Sequence, residues 1–131
     1  MKSLFKDIIV GLLLFIVTLI LEFAASVVLN QPDPTRLTEE VLTANVSMMF
    51  LVASIPIGLA AFAAAAVLKP ATRSRALRMS VIWTAIFIGL NILTGLGNGT
   101  MGIIFLGIGI YVSIVFLFLG PLAYARFRQL P

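Results

Sequence analysis

The chain alternates between long apolar runs and short polar gaps. Four runs, 8–29, 41–68, 77–96 and about 101–125, are each long enough to cross a bilayer. A hydrocarbon core roughly 30 Å thick takes about 20 helical residues. Within the interiors of these runs the one acidic or basic residue is Glu22. The pattern predicts an all-α integral membrane bundle of four transmembrane helices, with 1–131 as a single domain.

The gaps mark the ends of the helices. Pro32 and Pro34 cannot continue helix one, because proline lacks the amide donor and restricts the residue before it. Asp33 and Pro34 fit an N-cap and first-turn pair. Thr38 before Glu39 and Glu40 is a second start, with acids at the positive end of the helix dipole. Pro56 falls near the middle of helix two, where a kink is expected in a membrane. Lys69-Pro70 stops that helix. Helix three follows a basic loop, with Trp83 about one turn in, at headgroup depth. Residues 95–100 predict a tight, uncharged turn. Asn98-Gly99-Thr100 also matches a glycosylation sequon, but turn formation explains it. Helix four carries Gly102, Gly107 and Gly109, with Gly120-Pro121 kinking or loosening its end. Tyr124, Arg126 and Arg128 anchor its tail. Lys2 and Lys6 ahead of an apolar run, with Ala24-Ala25-Ser26 beyond, also fit a signal peptide. Continuation of the run through Leu29 favours a retained helix.

Composition narrows the chemistry. Charged residues make up 11% and hydrophobic residues 61% of the chain, whereas a soluble domain carries about 25% charged residues. Cysteine is absent, which excludes disulfides, thiolate nucleophiles and cysteine-ligated metals. Histidine is absent too, removing the commonest metal ligand and the usual general base. No cofactor or metal site is expected, and an enzyme is the least supported class. The pI near 10.1 arises from short basic segments beside apolar helices. That points to anionic lipid headgroups rather than nucleic acid.

Charge also predicts orientation. Lys2, Lys6, Lys69, Arg73, Arg75, Arg78, Arg126 and Arg128 fall on one side of a four-span topology. Arg36 falls on the other with Asp33, Glu39 and Glu40. Basic residues in short loops favour the cytoplasmic side. The expectation is a multi-pass protein of the cell membrane with both termini cytoplasmic.

Three groups of residues are candidates for function. Glu22 lies about 21 Å into helix one. Burying a charged carboxylate there is costly, so it should face the bundle interior or a water path. Asn45, Ser47, Asn91 and Thr94 fall at comparable depth, so a polar cluster around Glu22 is one expectation. Ordinary interhelical hydrogen bonding is the other, at about 0.6–2 kcal/mol per contact. Ser54, Gly58, Ala61 and Ala65 recur at four- and three-residue steps and form a small-residue ridge for close helix packing. Lys69, Arg73, Arg75 and Arg78 form a basic loop that would meet anionic headgroups or serve only to set topology.

Leu19-Ile-Leu-Glu22-Phe-Ala-Ala-Ser26 locally resembles the small multidrug resistance transporters, which have four short helices and one carboxylate in the first. The resemblance covers eight residues and implies transport through Glu22. The chain departs from that family in helix three, where the aromatic residues around a Trp and a Gly-x-Gly are not reproduced. It also departs in its strong charge bias. Small fluoride channels are similar in size but carry a different glycine-rich signature. The leading expectation is a small non-enzymatic membrane protein, an accessory or regulatory subunit packing with itself or a larger membrane complex. The alternative is a small transporter or channel using Glu22 for proton or cation coupling.

Overall fold

The computed structural model describes residues 2–28, 39–99 and 101–131, with side chains described from Ser3 and Thr43 in the first two stretches. Five helices account for most of them: α1 (Lys2–Val28), α2 (Glu39–Leu68), α3 (Arg73–Asn98), α4 (Met101–Phe105) and α5 (Gly109–Phe127). Four of these, α1, α2, α3 and α5, are long and apolar enough to span a membrane. No strand occurs among the described residues. The expected caps around Asp33, Pro34 and Thr38, the position of Arg36 and the hydroxyl of Thr100 lie outside the described residues.

Several boundaries differ from the sequence reading. The third helix begins at Arg73 rather than 77, so the three arginines sit on its first turns and not in a loop. Thr72 makes this start: its backbone is extended, and its side chain accepts the Arg75 N–H at 3.2 Å. The same helix runs on to Asn98. Gly99 then adopts φ 68°, the left-handed conformation that closes helix C-termini, and returns its N–H to the Gly95 carbonyl.

The fourth apolar run is not one helix. It breaks after Phe105, and α5 starts at Gly109. The break is a contact with α2. Ser47 Oγ accepts the Gly109 N–H at 3.0 Å, and the Gly109 backbone lies so close to the Ser47 carbonyl that a Cβ there would overlap it. Glycine at 109 is therefore a condition of the α2–α5 approach. Pro121 does not end α5, which continues to Phe127, and Pro56 is likewise carried inside α2. Ser113 on α5 donates to the Phe50 carbonyl of α2 at 2.8 Å, a second polar tie between these helices.

α1 and α5 each pack on both α2 and α3, and so occupy opposite corners of the bundle. The axis is filled. Phe87 meets Phe15 and Phe50 edge-to-face, with centroids 6.3 and 6.4 Å apart. Ile57, Met79, Trp83, Ile110 and Leu117 are buried beside them. The outside is equally apolar: Phe23, Leu59, Val67 and Leu96 are all exposed. An apolar exterior around an apolar core is the surface of a protein dissolved in lipid.

One end of the bundle gathers the charge. The start of α1 meets the start of α3 through ion pairs, and the Arg73 N–H donates to the carbonyl of Pro131 at 2.9 Å. The first turns of α1, the α2–α3 connection and residue 131 are thus at the same end, and Lys6, Lys69, Arg73, Arg75, Arg78, Arg126 and Arg128 come with them.

Candidate functional site: a polar stripe along the first helix

The residues of α1 that turn inward are Asp7, Gly11, Leu14, Thr18, Glu22 and Ala25. Their three- and four-residue spacing places them on one face. Most of this face is small or polar, whereas the opposite side of α1, with Leu12, Leu13, Ile16, Ile20 and Phe23, is exposed and strongly apolar. In a membrane this inverts the soluble pattern: the helix hides its polar side from lipid.

Asp7 is fully buried at the charged end of the stripe. Its Oδ2 accepts from Arg78 Nη2 at 2.9 Å, and its Oδ1 accepts from Arg75 Nη2 at 3.3 Å. Arg78 Nη2 also donates to Ser3 Oγ at 3.0 Å. The Asp7 backbone carbonyl accepts from Trp83 Nε1 at 2.8 Å. Gly11, one turn on, leaves room for the Trp83 ring. The first turn of α3 holds no acid of its own. Arginines at that position oppose the helix dipole, and Asp7 supplies the missing negative charge from a neighbouring helix. One acid thereby neutralises part of a dense cation cluster and orders the α1–α3 corner.

Trp83, expected at headgroup depth, is buried between helices near the charged end, at 1% exposure. Its indole N–H is used by Asp7, and its ring fills the space above Gly11. A buried indole N–H needs such a partner.

Glu22 lies about four turns further along the same stripe. It is 5% exposed. Its Oε1 is buried with no hydrogen-bond partner among the described residues. Thr18, one turn before it, is occupied with the carbonyl of Phe15 at 2.6 Å.

The four polar residues expected around Glu22 direct no hydrogen bond to it among the described residues. Asn45 is exposed on α2. Ser47 serves the α2–α5 junction. Asn91 is buried, but its side-chain amide donates to the Phe87 carbonyl of its own helix at 2.8 Å. Thr94 is exposed and bonds back to Leu90 at 2.8 Å. Helical carbonyls four residues back compete for exactly such short polar side chains in apolar surroundings.

The small-residue ridge faces α5. Ser54, Ala61 and Ala65 are buried. Gly120 comes against Ala61 so closely that a Cβ on it would lie 2.5 Å from the Ala61 Cβ, and Gly58 lies against Phe116. The basic residues divide into two sets. Arg75 and Arg78 are held by Asp7, while Lys69 and Arg73 are exposed and have no ion pair among the described residues.

Asp7 is the residue that charge counting overlooks, because it stands just outside the apolar run. Two signals mark it. It is the one acid on the basic side of the four-span topology, and it shares three- and four-residue spacing with Gly11, Thr18 and Glu22. Two further hydroxyls one turn apart on α3, those of Ser80 and Thr84, are buried without a partner among the described residues.

The chain matches no protein-family model, no curated protein and no solved structure. Its reading therefore rests on its own residues.

Proposed function

We propose that this is a small non-enzymatic protein of the cell membrane, an accessory or regulatory subunit that packs with itself or with a larger membrane complex. The observation that carries the reading is the filled axis. Phe15, Phe50 and Phe87 meet where a conducting path through one copy would run, backed by Ile57, Ile110 and Leu117. The bundle meanwhile offers a long apolar face on α1, with Leu13, Ile20 and Phe23 all exposed, to lipid or to another membrane helix. Affinity purification from native membranes, with identification of co-purifying chains, tests it. A stoichiometric partner or a stable homo-oligomer is expected. A monomer with no companion in several mild detergents overturns it.

A second reading has one observation in its favour. The buried Glu22 oxygen without a partner is costly to maintain, by about 1–3 kcal/mol for an unsatisfied polar group, and costly intramembrane acids mark proton and cation paths. In this reading Glu22 couples a proton or binds a cation. Reconstituted protein should then support pH-dependent flux that Glu22→Gln abolishes without unfolding the bundle. Equal flux in both forms removes this alternative.

The orientation proposed is both termini cytoplasmic, supported by the gathering of basic residues at one end. Single cysteines at Thr35 and Thr72 report it. An impermeant thiol reagent on intact cells should label Thr35→Cys and spare Thr72→Cys, and the reverse pattern inverts the topology.

A further inference from the structure

The α2–α5 face carries a groove with two different ends. At the charged end a cleft of about 630 Å³ is lined by Phe62, Lys69, Tyr124, Phe127 and Arg128, among others. Towards the middle of the bundle the same two helices form a second hollow of about 280 Å³, bounded by Ile55, Gly58, Phe62, Phe116, Leu119 and Ala123. Phe62 lines both, so the two hollows adjoin. The first is walled by aromatic rings and holds two cations; the second is almost wholly apolar.

We infer that this groove is a binding site for one anionic phospholipid, with the phosphate between Lys69 and Arg128 and an acyl chain along Gly58 and Phe116.

Three features fit that occupant. The length is right: from Ile55 to Lys69 α2 rises about 21 Å. That matches one leaflet, about 15 Å of hydrocarbon, plus the headgroup layer. The charge is right: neither Lys69 nor Arg128 has an ion pair among the described residues, whereas Arg75 and Arg78 at the same end are held by Asp7. Both α2 and α5 end here, and helix C-termini repel anions. The cations that line the mouth are these two side chains. The wall is right: Phe62 stacks edge-to-face on Tyr124 at 5.8 Å and on Phe127 at 6.1 Å, which holds the rings fixed at the junction of the two hollows. Lys69 itself sits at φ 49°, closing α2 through its N–H to the Ala65 carbonyl. That position favours glycine, yet a long cation occupies it.

The inference needs only a bundle embedded in a bilayer. It does not depend on an accessory role or on Glu22. The test uses the full chain in detergent, titrated with phosphatidylglycerol or phosphatidylcholine of the same acyl chains, and counts bound lipid by native mass spectrometry. A basic residue at a membrane surface accounts for roughly a five-fold preference, equivalent to about 1 kcal/mol. The first lipid bound should therefore favour phosphatidylglycerol by roughly an order of magnitude.

The double variant Lys69→Gln with Arg128→Gln should bring that preference close to unity. Lys6→Gln with Arg126→Gln removes the same charge from exposed positions away from the groove and should retain most of it. Ala123→Phe fills the exposed apolar hollow and should shorten retention of both lipids, with helicity unchanged. Equal losses in the two double variants would reduce the effect to bulk charge and overturn the site. So would an unaltered preference in Lys69→Gln with Arg128→Gln. Selective binding of free glycerol phosphate, with no gain from acyl chains, would reject a lipid in favour of a soluble anion.

Discussion

Asp7 and Glu22 are two acids on one face of one helix, both buried, about four turns apart. Asp7 has two arginines, and its backbone carbonyl accepts an indole N–H. Glu22 has an oxygen with no partner among the described residues. The difference is depth. Asp7 lies where α3 begins, within reach of a basic segment that could not be buried itself. Glu22 lies within a long apolar run, and Thr18, Asn91 and Thr94 have turned to carbonyls of their own helices. An acid at the end of a membrane helix can recruit cations from the end of a neighbouring helix. An acid in the middle can recruit only what neighbouring helices bury with it.

The same acid-to-amide change at the two sites should separate them. Asp7→Asn removes the counter-charge from Arg75 and Arg78 and should cost about 3 kcal/mol. That is the lower end for breaking a buried pair, since the arginine side chains are 25% and 41% exposed. Thermal unfolding in detergent measures it. A loss below about 1 kcal/mol would make the pair no stronger than a surface ion pair. Arg78→Gln should cost less than Asp7→Asn, because Arg75 still pairs with the carboxylate, and the two changes together should fall short of additive.

Next in size is the Asp7–Trp83 corner. Gly11→Val drives a side chain into the space of the Trp83 ring and Ile86, and should cost about 1–3 kcal/mol by overpacking. Trp83 fluorescence should move with it. Unchanged emission and stability would place the ring elsewhere. Gly109→Ala should fall at the upper end of the same range, because it meets the Ser47 backbone rather than a movable side chain.

Glu22→Gln should be the mildest of the set, within about 1 kcal/mol of the parent, since no ion pair is lost and the amide keeps the shape. A large loss of stability there would mean that Glu22 has a charged partner, and the contrast with Asp7 would collapse.

Much of the architecture is legible in the order of residues. Four apolar runs of bilayer length specify four spanning helices, because no other open structure satisfies its backbone in lipid. The sorting of basic residues places Lys6, Lys69, Arg73 and Arg128 at one end for the same kind of reason: charges do not cross the core. Boundaries were less legible. Thr72 caps α3 five residues before the apolar run starts, and the α4–α5 break depends on a contact with Ser47 on another helix.

The candidate site divides along the same line. The burial of Glu22 follows from the chain alone, since an acid in an apolar run must turn away from lipid. Which polar residues it would meet does not follow, because Asn91 and Thr94 each had a helical carbonyl of their own within reach. The pairing of Asp7 with Arg75 and Arg78, the burial of Trp83 and the α2–α5 groove were decided only by tertiary structure. Each depends on how α1, α2, α3 and α5 rotate and approach one another. That is set by glycines and alanines at the contacts, whose effect cannot be evaluated until the facing residue is known.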